Sequence, residues 1–169
     1  MPLASQAAIG IVFSENKKKV LLIKRRDVPI WVLPGGGVDF NENPDDAVIR
    51  ELFEETGLRT SLLRKVGSYS PAPPFATQTE VYECGVINGD LAIGEETTNV
   101  GFFGVDALPV PFFPVHQYWI DDALLMKATP IKKPVPGVGW GNFAWYLLTH
   151  PFLIGRYLLA RMGFPYNTK

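Results

Sequence analysis

The chain has 169 residues, 47% hydrophobic and 20% charged, and this balance predicts one compact globular domain with additions rather than a disordered chain. Its formal net charge of -1 gives no overall positive field, so we expect no nucleic-acid partner. The single cysteine, Cys84, excludes a disulfide within the chain and a zinc site built of cysteines, and it suits a cytoplasmic protein.

The N-terminal part of the chain is predicted to be extended. Residues 7–13 form a short apolar run that lacks the basic start of a signal peptide, residues 14–19 are polar, and residues 20–23 are apolar again. This order predicts a β-hairpin. A further extended piece, residues 31–33, precedes three consecutive glycines at 35–37, which permit close approach of the backbone to a ligand.

The clearest predicted helix covers Pro44–Thr56. Asn43 is a typical N-cap residue, and a proline at the first helical position loses no hydrogen bond. Asp45 and Asp46 complement the positive end of the helix dipole, and Gly57 ends the helix.

The following segment is predicted to combine further strands with a second helix. Alternation in residues 82–86 and the run 100–105 indicate strands, and residues 115–127 indicate a helix. The Asn88-Gly89 pair predicts a turn that leads to the apolar residues of 91–93. Because strands and helices are interspersed irregularly, we expect an α+β fold with a mixed sheet flanked by helices.

The composition changes after Asp122, the last acidic residue of the chain. Residues 130–141 are rich in proline and glycine and are predicted to be a linker, and residues 142–163 carry apolar, aromatic helical segments with basic residues. We therefore expect a domain of residues 1–129 and a C-terminal extension of residues 130–169. The extension would pack on the domain, form part of a homodimer, or contact an anionic membrane surface.

One face of the predicted helix concentrates negative charge. Glu51, Glu54 and Glu55 are three and four positions apart, so they lie together. Like charges at this spacing cost about 0.2–0.5 kcal/mol per pair in an isolated helix, and a divalent cation would offset that cost. By itself the spacing is more often a solvated helix face. The neighbouring apolar side consists of Val48, Ile49, Leu52 and Phe53.

These glutamates lie in a longer string, GGVDFNENPDDAVIRELFEETGL, that resembles the Nudix box. The resemblance implies the Nudix fold, a mixed β-sheet sandwiched between helices (α/β/α), and extends more loosely over residues 5–127. It also implies a Mg²⁺-dependent hydrolase, with Mn²⁺ as an alternative ion, that cleaves a diphosphate linkage in a nucleotide by attack of water on phosphorus. The matching positions are Gly36, Glu42, Arg50, Glu51, Leu52, Glu54, Glu55, Gly57 and Leu58.

The resemblance further implies which groups bind the metal. Glu54 and Glu55 would bind it most directly, and Glu51 would bind a metal ion or the attacking water. The carbonyl of Gly35 or Gly36 would complete the coordination shell.

Other residues of the box are implied to be supports. Arg50 precedes Glu54 by one helical turn and can hold that carboxylate by a charge-assisted hydrogen bond. Glu42 is a second support, and Gly37 and Gly57 are structural positions of the motif.

The general base remains open between Glu51 and an acid outside the box. The segment GEETTNVGFFGVDALP resembles the part of the family that often supplies this acid, and Glu96 is the better candidate, followed by Glu95. Asn99 stands where relatives often carry another acid. The alternative is that Glu95 and Glu96 are exposed loop residues.

Four further residues are candidates for substrate contacts: Arg25 and Arg26 for phosphates, and Trp31 and Tyr69 for stacking on a base. Solvated or packing roles are alternatives for all of them. We interpret His116, His150 and Cys84 as packing or surface residues, because none has the spacing of a ligand set.

Several substrate classes remain open at this stage. The segment FFGVDALPVP resembles members that cleave ADP-ribose or nucleotide sugars, which we therefore favour. The alternatives are a nucleoside triphosphate, a lipid-linked diphosphate at a membrane surface, or a nucleotide-binding module without turnover.

Overall fold

The computed structural model of the protein describes residues 6–70 and 77–135. This part of the chain forms two helices, α1 (Pro44–Thr56) and α2 (Pro114–Leu124), and eight strands. The strands are β1 (Gln6–Val12), β2 (Lys19–Arg25), β3 (Trp31–Val32), β4 (Gly35–Gly37), β5 (Arg59–Ser70), β6 (Gln78–Asn88), β7 (Thr97–Gly104) and β8 (Ile131–Pro134).

The strands form two sheets. The larger sheet has the order β4-β1-β6-β5-β8 and is mixed, because β1 pairs parallel with β6 and β5 pairs parallel with β8, whereas the other neighbours are antiparallel. The smaller sheet has the order β3-β2-β7 and is antiparallel. No helix of residues 6–70 and 77–135 is both long and apolar enough to cross a bilayer.

The two helices cover opposite faces of the larger sheet. Successive side chains of β1 point to opposite faces, so alternate residues join two different cores. One core contains Ala8, Val12, Val48 and Leu52, and the other contains Ile9, Ile11, Trp119 and Ile120. The predicted mixed sheet sandwiched between helices is therefore confirmed. The predicted helical extension falls in residues 136–169, outside the described residues.

Helix α1 has the bounds that its end signals predict. Gly57 ends it in the left-handed conformation (φ 75°), and its N–H donates to the Phe53 carbonyl. Asn43 has the extended backbone of an N-cap residue but makes no capping bond with its side chain. The helix is rotated from the predicted apolar side, because Phe53 is 48% exposed whereas Glu55 is buried.

Two strand connections differ from the prediction. The expected hairpin is wrong as a pairing, because β1 and β2 belong to different sheets and meet only through a bridge between Phe13 and Val20. The turn at Asn88-Gly89 leads to no strand, since residues 91–93 have no regular structure in the described chain.

The predicted linker is wrong for its first residues. Ile131–Pro134 form β8, which pairs with Gly67–Ser70 at the edge of the larger sheet. Val135 is buried in the core on the α2 side, and its N–H donates to the Ser70 carbonyl at 3.0 Å. The domain therefore continues past residue 129, and the rest of the predicted extension lies outside the described residues.

Candidate active site

The glutamate face of α1 lines a cavity of about 1330 Å³. Strand β4, the loop 38–42, the end of β2 and the segment 93–96 form the other walls. Seven acidic and two basic side chains line it, so its charge is strongly negative and suits a cation. They are Asp39, Glu42, Glu51, Glu54, Glu55, Glu95 and Glu96, with Arg25 and Arg50.

Glu55 is the most enclosed acid on this face of α1. Its residue is 6% exposed, and its Oε2 accepts the Gly35 N–H at 2.8 Å. Burial raises the pKa of the Glu55 carboxyl to about 8, and the nearby Glu51 charge adds to the increase. The fold therefore holds a carboxylate where its charge is costly, and a cation beside it would remove much of that cost.

Glu51 lies between Arg50 and the glycine strand. Arg50 Nη1 donates to Glu51 Oε1 at 3.0 Å and to Glu54 Oε2 at 3.3 Å. Burial raises the pKa of the Glu51 carboxyl, and the Arg50 hydrogen bond opposes this. A Cβ at Gly36 would lie 2.5 Å from Glu51 Oε1, so glycine at this position leaves room for the carboxylate.

Glu42 and Arg50 fasten the cavity loop to the helix. Arg50 Nε and Nη2 each donate to a different Glu42 oxygen at 2.9 Å, and Nη2 also donates to the Gly37 carbonyl at 3.2 Å. The Arg50 hydrogen bonds lower the pKa of the Glu42 carboxyl to about 2. Glu42 Oε2 also accepts the Asp39 N–H at 3.0 Å, which closes the turn of the loop. Glu42 and Arg50 thus join the loop 38–42 and β4 to α1.

The donor atoms around the cavity fit a hard divalent cation. Glu51, Glu54 and Glu55 offer carboxylate oxygens and no soft ligand, which is the donor type that Mg²⁺ prefers. The Arg50 guanidinium bridges Glu51 and Glu54 through Nη1, which donates to one oxygen of each. Among residues 6–70 and 77–135, no three Asp, Glu, His or Cys side chains are already gathered around one point. A metal would therefore need these carboxylates to turn away from Arg50.

The segment 93–97 brings two further acids to the cavity. Glu95 and Glu96 both line it, and Glu96 is exposed. Thr97 is fully buried behind them, and its Oγ1 accepts the Gly94 N–H at 2.6 Å. Asn99 lies outside the cavity lining, and its Oδ1 accepts the Val100 N–H at 2.8 Å.

The structure separates the four candidate substrate contacts. Arg25 lines the cavity and pairs with Asp27, its Nε donating to Oδ1 at 2.8 Å. Arg26 is outside the lining and donates to backbone carbonyls instead. The stacking predictions are wrong: Trp31 and Tyr69 are both buried in the core on the α2 side.

Two of the three residues that the sequence analysis discounts as ligands, His116 and Cys84, lie among the described residues. His116 is buried and accepts the Leu33 N–H at its Nδ1 at 2.8 Å, and burial lowers the pKa of its imidazole to about 3. Cys84 is buried in the core on the α1 side, where burial raises the pKa of its thiol to about 12. Both have packing environments. His150 lies outside the described residues.

Two exposed apolar residues of the cavity escaped the sequence analysis. Phe40 is 95% exposed in the loop 38–42, and Ile93 is 58% exposed in the segment 93–96, and both line the cavity. The one sequence signal for Phe40 is its position as an aromatic residue between the polar residues Asp39 and Asn41. These side chains offer an apolar surface at an otherwise acidic site.

The segment used to favour nucleotide sugars has a structural role. Phe103, Val105 and Leu108 pack against the core that includes Trp119 of α2. The segment lies outside the cavity lining. It therefore gives no information on the substrate.

Comparison with known proteins agrees with the box. A family model described as the NUDIX domain matches residues 4–127. A Bacillus subtilis (strain 168) protein named "Putative 8-oxo-dGTP diphosphatase" is 36% identical over 70% of this chain and 78% of its own. An ADP-ribose pyrophosphatase of Methanocaldococcus jannaschii is 35% identical over 72% of this chain and 73% of its own.

Solved structures share the fold. A Nudix hydrolase from Nitrosomonas europaea superposes with a TM-score of 0.65 at 22% identity, covering 77% of each chain. An ADP-ribose pyrophosphatase from Streptococcus suis superposes with a TM-score of 0.62 at 24% identity, covering 76% of this chain and 96% of its own. Since the family model spans most of the chain and two relatives exceed 30% identity, the chain belongs to the Nudix family.

Proposed function

We propose that the protein hydrolyses a diphosphate linkage in a small soluble nucleotide, with Mg²⁺ or Mn²⁺ bound at the glutamate face of α1. The observation that carries this proposal is the cavity, whose lining gathers seven acidic side chains beside glycine backbone. A diphosphate repels nucleophiles, so an acidic site can accept it only together with a cation.

The reaction needs no nucleophilic side chain. The oxygen of a water molecule forms a bond to phosphorus, the bridging P–O bond breaks, and the leaving group departs with the bridging oxygen as a phosphate. When bound, Mg²⁺ supplies charge neutralisation, orientation of the phosphate oxygens and acidification of water. Positioning and electrostatics account for most of the acceleration in phosphoryl chemistry.

The residues of this chain divide the remaining work. Glu54 and Glu55 would hold the metal, Glu51 would hold a metal or the attacking water, and the Gly36 carbonyl would be a further ligand. Glu51 or Glu96 takes the proton of the water, because both carboxylates line the same cavity.

Arg50 and Glu42 support this set by fixing the cavity loop to α1. Arg25 lines the cavity from the end of β2, where it would contact a phosphate oxygen of the substrate.

The substrate class follows from the relatives only. The named activities of the two relatives differ, one towards 8-oxo-dGTP and one towards ADP-ribose, although their identities to this chain are nearly equal. We propose a nucleoside diphosphate linked to another group, with the nucleoside triphosphate as the second candidate. Phe40 and Ile93 would contact the base or the sugar in either case.

A hydrolysis screen tests the proposal. The purified chain is incubated with ADP-ribose, nucleotide sugars, nucleoside triphosphates including 8-oxo-dGTP, and a lipid-linked diphosphate, and the products are identified by mass. ADP-ribose would yield AMP and a sugar phosphate, whereas a triphosphate would yield a monophosphate and pyrophosphate. Metal binding without turnover on any substrate would favour a binding module instead.

Metal removal is the second test. We expect turnover to disappear in excess EDTA and to return when Mg²⁺ or Mn²⁺ is added, because the carboxylates can bind a diphosphate only through a cation. Full turnover in a sample shown by metal analysis to be free of divalent ions would rule out the proposed mechanism.

The cellular setting rests on composition. The single cysteine is buried in the described structure, which agrees with action in the reducing cytoplasm. A homodimer or a membrane-surface contact would involve the residues of the extension. Size-exclusion chromatography tests for the homodimer, and vesicle binding tests for the membrane contact.

A further inference from the structure

The segment that carries Glu95 and Glu96 is held by one arginine. The Arg26 N–H donates to the Glu96 carbonyl, Arg26 Nε donates to the Glu95 carbonyl, and Nη2 donates to the Thr97 carbonyl, each at 2.8 Å. Three consecutive carbonyls are thus fixed by one residue at the end of β2.

The Arg26 side chain does not bond to the carboxylates of Glu95 and Glu96. Its guanidinium donates to backbone oxygens and forms no ion pair with either carboxylate. Within residues 6–70 and 77–135, the Glu96 carboxylate forms neither a hydrogen bond nor an ion pair, although it lines the cavity. A carboxylate without a partner is available to accept a proton or to bind a ligand.

A β-bulge beside Arg26 explains why the segment Glu95–Thr97 needs hydrogen bonds outside the regular sheet pairing. The pairing of β2 with β7 shifts register between Lys24 and Arg25, which pair with Asn99 and Thr97, so Thr98 is an extra residue on β7. Such a bulge interrupts the ladder and redirects the chain. Beyond the bulge, the Arg26 bonds continue the connection to β2 and lead the segment to the cavity.

The other side of the segment is fixed to α1. Gly94 lies so close to the Glu54 carbonyl that a Cβ there would collide with it, and the Ala92 N–H donates to the Thr56 carbonyl at 2.8 Å. Arg26 thus joins the end of β2 to a segment that already rests on the helix of the metal-binding glutamates.

We propose that Arg26 is a positioning residue, which fixes the segment Glu95–Thr97 and thereby sets the place of the Glu96 carboxylate over the glutamate face of α1. This inference rests on the proposed hydrolysis. It differs from the sequence-based assignment of Arg26 to substrate phosphates.

A double-mutant cycle tests this role. We expect Arg26→Ala to lower kcat at least about tenfold with little change in KM, since misplacing a reacting group slows the chemical step. In a Glu96→Gln background the same change should lower kcat less than about twofold, because the positioned group is already gone. Arg26→Lys should restore only part of the rate, and Lys18→Ala, which removes an exposed positive charge at the far end of β2, should leave kcat unchanged.

Three results would overturn the proposal. They are an equal loss of kcat in both backgrounds, a rise of KM with kcat unchanged, and a wild-type rate in Glu96→Gln. The first would indicate a general structural role, the second a substrate contact, and the third a Glu96 that takes no part.

An experiment that needs no turnover separates this inference from the proposed function. In the full chain, Mn²⁺ should broaden the amide resonances of Glu95 and Glu96, and Arg26→Ala should reduce that broadening relative to Gly36. If the wild-type protein hydrolyses nothing in the screen, the proposed function fails. The broadening of the Glu95 and Glu96 resonances then tests by itself whether Arg26 positions the segment. An unchanged broadening pattern in Arg26→Ala would refute it.

Discussion

At the scale of single residues, Arg50 offsets part of the negative charge on the glutamate face of α1. Its guanidinium contacts Glu42, Glu51 and Glu54, at 2.9, 3.0 and 3.3 Å. A cation bound by Glu51 and Glu54 would take over two of these partners, whereas the two bonds to Glu42 fasten the loop. The same arginine can therefore offset the repulsion among these glutamates and remain a support when a metal is bound.

Replacing Glu54 tests the assignment of the metal ligands. We expect Glu54→Gln to lower turnover by at least about a hundredfold, or roughly 3 kcal/mol, because a key electrostatic group loses its charge. The folded state should change little in stability, since the side chain is 56% exposed: loss of its charge weakens only an exposed ion pair with Arg50 and relieves repulsion between like charges. Turnover is measured on the substrate found in the screen, and stability by urea unfolding without metal.

Glu15→Gln is the matched control for this substitution, because Glu15 is an exposed glutamate in the turn between β1 and β2. It should change neither quantity. A near-wild-type rate in Glu54→Gln would remove this glutamate from the site.

The residue-scale predictions differ in quality for a physical reason. Glu51, Glu54 and Glu55 are joined by one helix, whose period of 3.6 residues fixes their common face from sequence alone. Trp31 and Tyr69 are placed by tertiary packing, and their sequence neighbours do not tell which aromatic side chains stay exposed. Both are in the core, while Phe40 is the exposed aromatic of the cavity.

At the scale of elements, helix α2 is anchored to the chain before β4 by a buried histidine. His116 Nδ1 accepts the Leu33 N–H at 2.8 Å, and its ring lies 4.7 Å from the ring of Trp119. This bond satisfies a backbone donor that would otherwise be buried without a partner. Leu33 directly precedes Pro34 and the glycine strand, so the bond also bears on the position of the site.

The imidazole of His116 should make the protein sensitive to acid. Burial lowers its pKa to about 3 in the folded state, whereas an unfolded histidine has a pKa of about 6.5. Between these values the unfolded state binds the proton and the folded state does not, so the free energy of unfolding falls as pH decreases from about 6.5 to about 3. Above about 6.5 this contribution is constant.

His116→Asn is the variant that isolates this effect, because an amide oxygen can accept the Leu33 N–H without titrating. We expect its free energy of unfolding to depend less on pH over this range than that of the wild type, by an amount on the order of a few kcal/mol. His116→Ala should lose about 1–3 kcal/mol at neutral pH, because the Leu33 N–H is left unsatisfied. Urea unfolding at a series of pH values checks both, and identical pH profiles for wild type and His116→Asn would contradict the prediction.

Element positions were more predictable than their pairing. The bounds of α1 follow from Pro44 and Gly57, which act through local geometry. The pairing of β1 with β6 and of β2 with β7 joins residues 72 to 85 positions apart, as in Gln6–Gln78 and Lys19–Gly104. A short polar turn between two apolar runs predicts a hairpin. In the structure, β2 instead pairs in the smaller sheet, and its apolar side chains join the cores that cover the two faces of the larger sheet.

At the scale of the whole molecule, strand β8 closes the larger sheet. Its parallel pairing with β5 covers the edge of that sheet, and Lys133 Nζ lies 2.6 Å from Asp122 Oδ2 on α2. Composition alone predicts a linker here, because the prolines and lysines of IKKPVP are typical of a segment between domains. The domain therefore extends past Thr129 and includes β8 and Val135.

Two truncated chains test this boundary and the role of the extension. A chain of residues 1–135 should stay folded and keep its hydrolytic rate, because it contains both cores and all cavity residues described here. A chain of residues 1–129 should have a melting temperature several degrees lower or aggregate, because it leaves the β5 edge unpaired and removes Val135 from the core. Thermal melts and size-exclusion chromatography compare both with the full chain, and equal stability of the two would show that β8 contributes little.

Comparison of the full chain with the chain of residues 1–135 separates the two expected roles of residues 136–169. If they contact an anionic membrane, the full chain should bind anionic vesicles less well at high salt, and the chain of residues 1–135 should not bind them but remain equally stable. If they cover apolar surface of the domain or of a second copy, residues 1–135 should instead aggregate or melt at a lower temperature. A folded 1–135 chain that no longer cleaves the substrate of the full chain would contradict the separation of extension and chemistry, and would assign part of the substrate pocket to the extension.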